Sequence, residues 1–319
     1  EGLPLFVEEL TKAVLESGLL AIADDHYELA RSLQPFAIPA TLRDSLMARL
    51  DRPGLVREVA QVGAVIGREF SHDLLAAVAG IDAVRLEDTL SQLIEAELVF
   101  RRGIPPEVTY VFKHALVQDA AYSGLLRAQR QELHARVARE LETRSPELAD
   151  TAPELLAHHL TAAGFADRAA TYWQRAGHRA AQRSAHAEAI AHFSQALDLL
   201  ASLPDDRTRV SRELNLLLDL GPMYIIAHGT ASPQVADAYS RARELARQAG
   251  APDQAYVATW GLWLSHQQRG RLSQARRFAD EVLELAATLK DQDLQLQAHH
   301  AAWTTLFFQD NVQTCLEHT

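Results

Sequence analysis

98-LVFRRGIPPEVTYVFKH-114 is the stretch that decides the fold. Two β-rich runs, LVFRR and VTYVFKH, flank GIPPE, in which Pro105 and Pro106 exclude a helix; a spacer of this length suits a hairpin. Upstream the pattern is helical. LVREVAQVGAVIG (55–67) reads as a helix ending at Gly67. SHDLLAAVAG (71–80) reads as a short helix capped by Ser71 and closed by Gly80. DAVRLEDTLSQLIEAE (82–97) reads as a third helix with Val84, Leu86, Leu90, Leu93 and Ile94 as its apolar positions. Three helices followed by a hairpin is the layout of a winged helix, and the hairpin is the only strand signal in the chain.

Toward the N-terminus, Leu3, Phe6, Val7, Leu10 and Val14 form a helical stripe that stops near Gly18. ADDHYELARSLQPFAIP (23–39) reads as a linker. PATLRDSLMARL (39–50) starts a new helix with Thr41 as N-cap and Asp44 three residues on. After the hairpin, ALVQDAAYSGLL and AQRQELHARVARELET are helical. From about Glu154 a degenerate repeat follows: GFADRAATYWQRA from Gly164, SAHAEAIAHFSQALDLL from Ser184, GRLSQARRFADEVLELA from Gly270 and DNVQTCLEHT from Asp310. Each places a small residue five positions on, at Ala169, Ala189, Ala275 and Cys315, and Leu203–Ser232 breaks the register with a longer helix. Helix pairs of ~34–40 residues with small residues at close crossings resemble tetratricopeptide repeats. The fold class expected is therefore mainly α: a winged-helix domain with a small β-hairpin, then a TPR-like α-solenoid. The domain division expected is 1–36 (a lid helix and linker), 37–145 (winged helix and connecting helices) and 146–319 (helical repeats). The chain opens on Glu1 and stops within a repeat, so it reads as an excerpt of a longer protein.

Composition narrows the function. The formal net charge of −11 argues against nucleic acid as a partner of the chain as a whole. The third helix sharpens this: Asp82, Glu87, Asp88, Glu95 and Glu97 outnumber Arg85, and phosphates repel such a surface. Cys315 is the single cysteine, which rules out an internal disulfide and fits a reducing, cytoplasmic compartment. No apolar run reaches the ~18 residues of a membrane span. The 14 histidines show no metal-ligand spacing: His158–His159 and His299–His300 are adjacent, His186 and His192 six apart. No Walker A, G-x-S-x-G or G-x-G-x-x-G motif occurs, so no catalytic residue and no metal site is assigned.

Four phrases together carry a family resemblance: GLPLFVEEL (2–10), IPATLRDSLMARLD (38–51), GAVIGREF (63–70) and FKHALVQDAAY (112–122). Their order resembles the C-terminal part of STAND-type signalling ATPases, relatives of the AAA+ group, as found behind bacterial class III adenylate/guanylate cyclase domains and in large transcriptional regulators. The resemblance implies a nucleotide site, ATP or ADP with Mg²⁺ in the longer parent, approached here from its lid side. It maps the adenine-packing Gly-x-Pro onto Gly2 and Pro4, and the phosphate-reading winged-helix histidine onto His114. The family's Met-His-Asp is Lys113–His114–Ala115 here, so the acidic third residue is lost. Taken alone, Pro4 reads equally well as a first-turn proline, and His114 as a strand-end histidine bonded to backbone. The P-loop ATPase domain is expected upstream in cis, so this chain by itself should not hydrolyse ATP or hold nucleotide tightly. The repeats are expected to receive a protein or small-molecule signal. A repeat scaffold without nucleotide, and less so a DNA-binding regulator, are the competing readings.

Overall fold

In a computed structural model the structure describes the backbone of residues 20–23 and 26–29, and residues 55–104, 107–309 and 314 in full. Gly2, Pro4, the helices read over 3–17 and 39–50, and Cys315 lie outside the described residues. The chain divides into two units, Glu1–Pro146 and Glu147–Thr319. It is mainly helical, as read.

A hairpin runs into the segment read as a linker: β1 (Leu20–Ala23) pairs antiparallel with β2 (His26–Leu29), with Ala23 opposite His26. Strands of four residues leave too little length for an alternation to register against the surrounding helical pattern.

The rest of the first unit is built around a three-stranded sheet. α1 (Leu55–Ile66) buries Val56, Val59, Val62 and Val65 along one stripe and ends at Gly67 as expected. A further strand follows, β3 (Glu69–Ser71), absent from the sequence reading. Ser71 then caps α2 (His72–Ala79), its Oγ accepting the Leu74 N–H at 3.2 Å, and Gly80 ends that helix in the left-handed region. α3 (Ala83–Glu95) starts at Asp82, whose carboxylate accepts the Val84 N–H at 3.0 Å, and buries Leu86, Thr89, Leu90 and Leu93. Val84, read as one of the apolar positions, is 70% exposed in the first turn. The expected hairpin forms from β4 (Val99–Arg102) and β5 (Thr109–Phe112). β5 is the central strand of the antiparallel order β3–β5–β4, with Phe70 opposite Tyr110. The rings of Phe70, Tyr110 and Phe112 pack together at 5.5–5.9 Å from Phe70. They meet α1 at Gly63, where an added Cβ would lie 2.8 Å from the Phe70 ring. α4 (Ala115–Ser123) and α5 (Arg127–Arg144) complete the unit.

The second unit is a run of helices: α6 (Leu148–Thr151), α7 (Pro153–Ala163), α8 (Ala166–Gln182), α9 (His186–Ala201), α10 (Arg207–His228), α11 (Pro233–Ala249), α12 (Pro252–Gln268), α13 (Leu272–Leu289) and α14 (Gln292–Phe308). Each packs chiefly on its neighbour in sequence. Three of the small residues read from the sequence, Ala169, Ala189 and Ala275, are fully buried. Each sits in the first turn after the same tight corner. Gly164, Ser184 and Gly270 take positive φ, and the next residue (Phe165, Ala185 or Arg271) starts the following helix at φ near −85° and ψ near 60°. The long helix that breaks the register is α10, with Pro222 inside it.

The structure gives meaning to a second recurrence. Gly177, Gly221, Gly261 and Ala301 lie mid-helix in α8, α10, α12 and α14, separated by 44, 40 and 40 residues. An aromatic ring from the next or preceding helix occupies the place of the missing side chain at all three glycines. A Cβ at Gly177 would come 2.5 Å from Phe193, and one at Gly221 or Gly261 within 2.4 Å of Tyr239. Tyr239 of α11 is thus held against two helices, and burial pushes its phenol up to about 12.

Candidate functional site

Chemistry in the first unit concentrates where β5 turns into α4. The central strand fixes this corner: the Phe112 N–H donates to the Arg68 carbonyl and the Lys113 N–H to the Leu98 carbonyl, both at 3.0 Å. His114 is extended (φ −132°, ψ 144°) and occupies the N-cap position of α4. Its carbonyl accepts the Val117 N–H at 3.0 Å, but its side chain caps nothing.

Lys113, Gln118 and Tyr122 of FKHALVQDAAY have structural partners, and Asp119 is exposed. Lys113 Nζ reaches Glu97 Oε2 at 2.6 Å and lies 5.8 Å from the centre of the Phe100 ring. Gln118 Nε2 donates to the Ala64 carbonyl of α1 at 3.3 Å. Tyr122 Oη meets Nε2 of the buried His134 of α5 at 3.0 Å. Arg130 closes the α4–α5 corner, with its guanidinium 4.4 Å from the Tyr122 ring and Nη2 donating to the Tyr122 and Leu125 carbonyls at 3.4 and 3.3 Å. His114 is different: its Nε2 is buried and has no hydrogen-bond partner among the described residues. Leaving such an atom without a partner costs roughly 1–3 kcal/mol. An imidazole nitrogen in that state suits an anionic oxygen, to which its N–H can donate. Of the three residues mapped by resemblance, only His114 falls within the described residues, so the structure brings none of them together. Sequence reasoning missed Gln118, Tyr122, Arg130 and His134; the helical period of Gln118 and Tyr122 behind His114 was the available signal.

Three of the five carboxylates that made α3 look repulsive have local roles. Asp82 caps the helix, Glu87 Oε1 lies 3.1 Å from His72 Nε2, and Glu97 holds Lys113.

In the second unit the polar groups tie helices together. Glu281 of α13 accepts from Arg243 Nε at 2.8 Å and Arg247 Nη2 at 2.8 Å, both on α11, and from the Thr259 hydroxyl of α12 at 3.3 Å. Burial alone would raise its pKa. The hydrogen bonds and charge of Arg243, with Arg247 and Thr259, outweigh burial and hold it below the usual 4.5. Trp263 of α12 donates through Nε1 to Thr305 of α14 at 2.9 Å. Among the described residues no three His, Cys, Asp or Glu side chains converge as a metal site would need, and no helix is long and apolar enough to cross a membrane.

No family model matches the chain. An uncharacterized protein of Rhizobium meliloti (strain 1021) is 30% identical over 312 residues, covering 96% of this chain and 29% of that protein. The chain thus spans less than a third of the length of this relative. Among the solved structures that overlap it are two of known architecture. A signal transduction ATPase with numerous domains (STAND) protein with a tetratricopeptide repeat sensor, from Pyrococcus horikoshii, matches at TM-score 0.41 and 7% identity over 88% of this chain and 52% of that one. BtubC (BKLC) from P. vanneervenii matches at TM-score 0.27 and 17% identity over 88% and 89%.

Proposed function

We propose that this chain is the regulatory part of a nucleotide-switched signalling ATPase. In this reading residues 1–36 end the ATPase lid and 37–145 form a winged-helix domain. Residues 146–319 are TPR-like repeats that receive a protein or small-molecule signal. The output is a fused effector, such as a nucleotide cyclase. Gly2 and Pro4 pack on adenine, and His114 donates to a phosphate of bound ADP, holding the closed, silent state. ATP or ADP, with Mg²⁺, is bound mainly by a P-loop domain N-terminal to this chain.

The observation that carries the reading is His114. In a phrase whose Lys113, Gln118 and Tyr122 are each satisfied within the fold, its buried Nε2 has no partner among the described residues. A phosphate oxygen supplied by a bound nucleotide would remove that cost. The order helix, strand, two helices, hairpin from α1 to β5 supports the winged-helix assignment.

The test is His114→Ala in the gene product that carries this chain. A charge-assisted hydrogen bond of this kind contributes about 1.5–3 kcal/mol. ADP retention should therefore fall about tenfold or more, and output should rise without stimulus. Unchanged retention and unchanged basal output would remove His114 from the site. The second reading, a repeat scaffold without nucleotide, is supported by the regular helix-on-helix packing of α7 to α14. It gains if no P-loop is encoded upstream.

A further inference from the structure

The first unit contains a cavity of about 400 Å³ that His114 does not line, within the size range of small-molecule sites. Three helices present one face each to it. α5 contributes Gln129, Glu132, Leu133 and Arg136, spaced three and four apart; α1 contributes Glu58, Gln61 and Val62. The third wall is the left-handed end of α2 at Gly80.

Two glycines make room for the polar arms. A Cβ at Gly80 would come 3.3 Å from Arg136 Nη2, and one at Gly124 would come 3.3 Å from Gln61 Nε2. The apolar wall comes from Val62, Leu133 and Leu125 of the α4–α5 turn. The lining charges are of both signs and are not spent on each other. Arg136, Glu58 and Glu132 make no ion pair among the described residues, whereas Arg130, Lys113 and Arg144 of the same unit all have partners.

We infer that this cavity is a binding site for a small zwitterion with an apolar tail, of the size and class of an aliphatic amino acid. The carboxylate lies on Arg136, the ammonium at Glu58 and Glu132, and the tail against Val62, Leu125 and Leu133. Such a ligand bridges α1, α2 and α5. The site is independent of the nucleotide reading, and its test needs no nucleotide.

The probe is L-leucine, titrated by calorimetry into the 319-residue chain. 4-Methylpentanoate, which lacks the amine, and isoamylamine, which lacks the carboxylate, carry the same tail and serve as comparisons. Leucine should bind, and each truncated probe should bind at least about tenfold more weakly, the loss of one charged contact. Arg136→Gln should lose leucine binding by a similar factor, Arg136→Lys should recover part of it, and Arg139→Gln, on an exposed part of α5, should bind as wild type. If Arg136→Gln proves unfolded by circular dichroism, the pair Glu58→Gln and Glu132→Gln takes its place and should abolish the preference for leucine over 4-methylpentanoate. No heat with leucine at about 10 mM, tenfold above a Kd of ~1 mM, would overturn the proposal. So would equal binding of 4-methylpentanoate, or leucine binding that survives both sets of substitutions.

Discussion

The two units use the same packing device over different sequence ranges. In the first, the Phe70 ring fills the place of a side chain at Gly63, but Phe70 also sits in β3, which pairs with β5 some forty residues on. α1 packs in turn on α2, α3, α4 and α5, so one helix touches every other helix described in the unit. In the second, Phe193 and Tyr239 fill the same kind of space at Gly177, Gly221 and Gly261, and each ring joins only adjoining helices. A fold closed by long-range pairing should loosen as a whole, whereas a stack of neighbours should loosen piece by piece.

The most forceful way to break this comparison is to remove one ring from each unit. Phe112 is 1% exposed and Tyr239 4% exposed. Truncating either to alanine should cost about 3–5 kcal/mol. Native-state hydrogen exchange should then separate the two variants. Phe112→Ala should speed exchange across α1, β5 and α4 together, leaving α12 and α13 protected. Tyr239→Ala should speed exchange in α10, α11 and α12, leaving α8 and the first unit protected. Uniform loosening by Tyr239→Ala would show that the array is one cooperative body.

That contrast also explains what could be read from sequence. The corners of the array were legible because each is local: a residue able to take positive φ, then a small residue five positions on, as at Gly164–Ala169 and Gly270–Ala275. Ser71, Asp82 and Gly80 were legible for the same reason, since a cap acts within one turn. β3 was not, because three residues carry no period and their partner lies across two intervening helices. Val84 reads as one of the helix's apolar positions, but in the first turn after the cap at Asp82 it points outward. The Gly177–Gly221–Gly261–Ala301 series was visible in the sequence, yet each glycine looks like a helix weakness until the facing ring is known. At the candidate site, His114 came from a resemblance; that its Nε2 has no partner among the described residues follows only from the fold.

Glu281 sharpens the comparison, because it is the side chain that ties three helices of the array, α11, α12 and α13, at once. Its pKa is lower folded than unfolded. Its contribution is therefore complete above the unfolded value near 4.5 and is lost as pH falls through the folded value. Hydrogen bonds to a charged group contribute roughly 1.5–3 kcal/mol. Urea midpoints for the second unit, followed from neutral pH down to about pH 3, should drop more steeply in the wild type than in Glu281→Gln. The variant should also speed exchange in α11 and α13 together. Parallel pH profiles would mean that the two arginines hold the helices without the carboxylate's charge.

Ser184 offers the smallest effect and the most local one. It holds φ of 60° at the α8–α9 corner, in the place where Gly164, Gly250 and Gly270 serve the equivalent corners. A residue with a Cβ in that region costs about 1–2 kcal/mol, while glycine there gives back part of the gain by being freer in the unfolded chain. The side chain is exposed, so little packing is lost. Ser184→Gly should therefore raise the stability of the second unit by up to about 1 kcal/mol. Exchange should slow in α8 and α9 and stay as it was in α12 and α13. A fall in the urea midpoint would mean that the Ser184 side chain contributes more to the corner than its backbone costs, and that this corner differs from the three built on glycine.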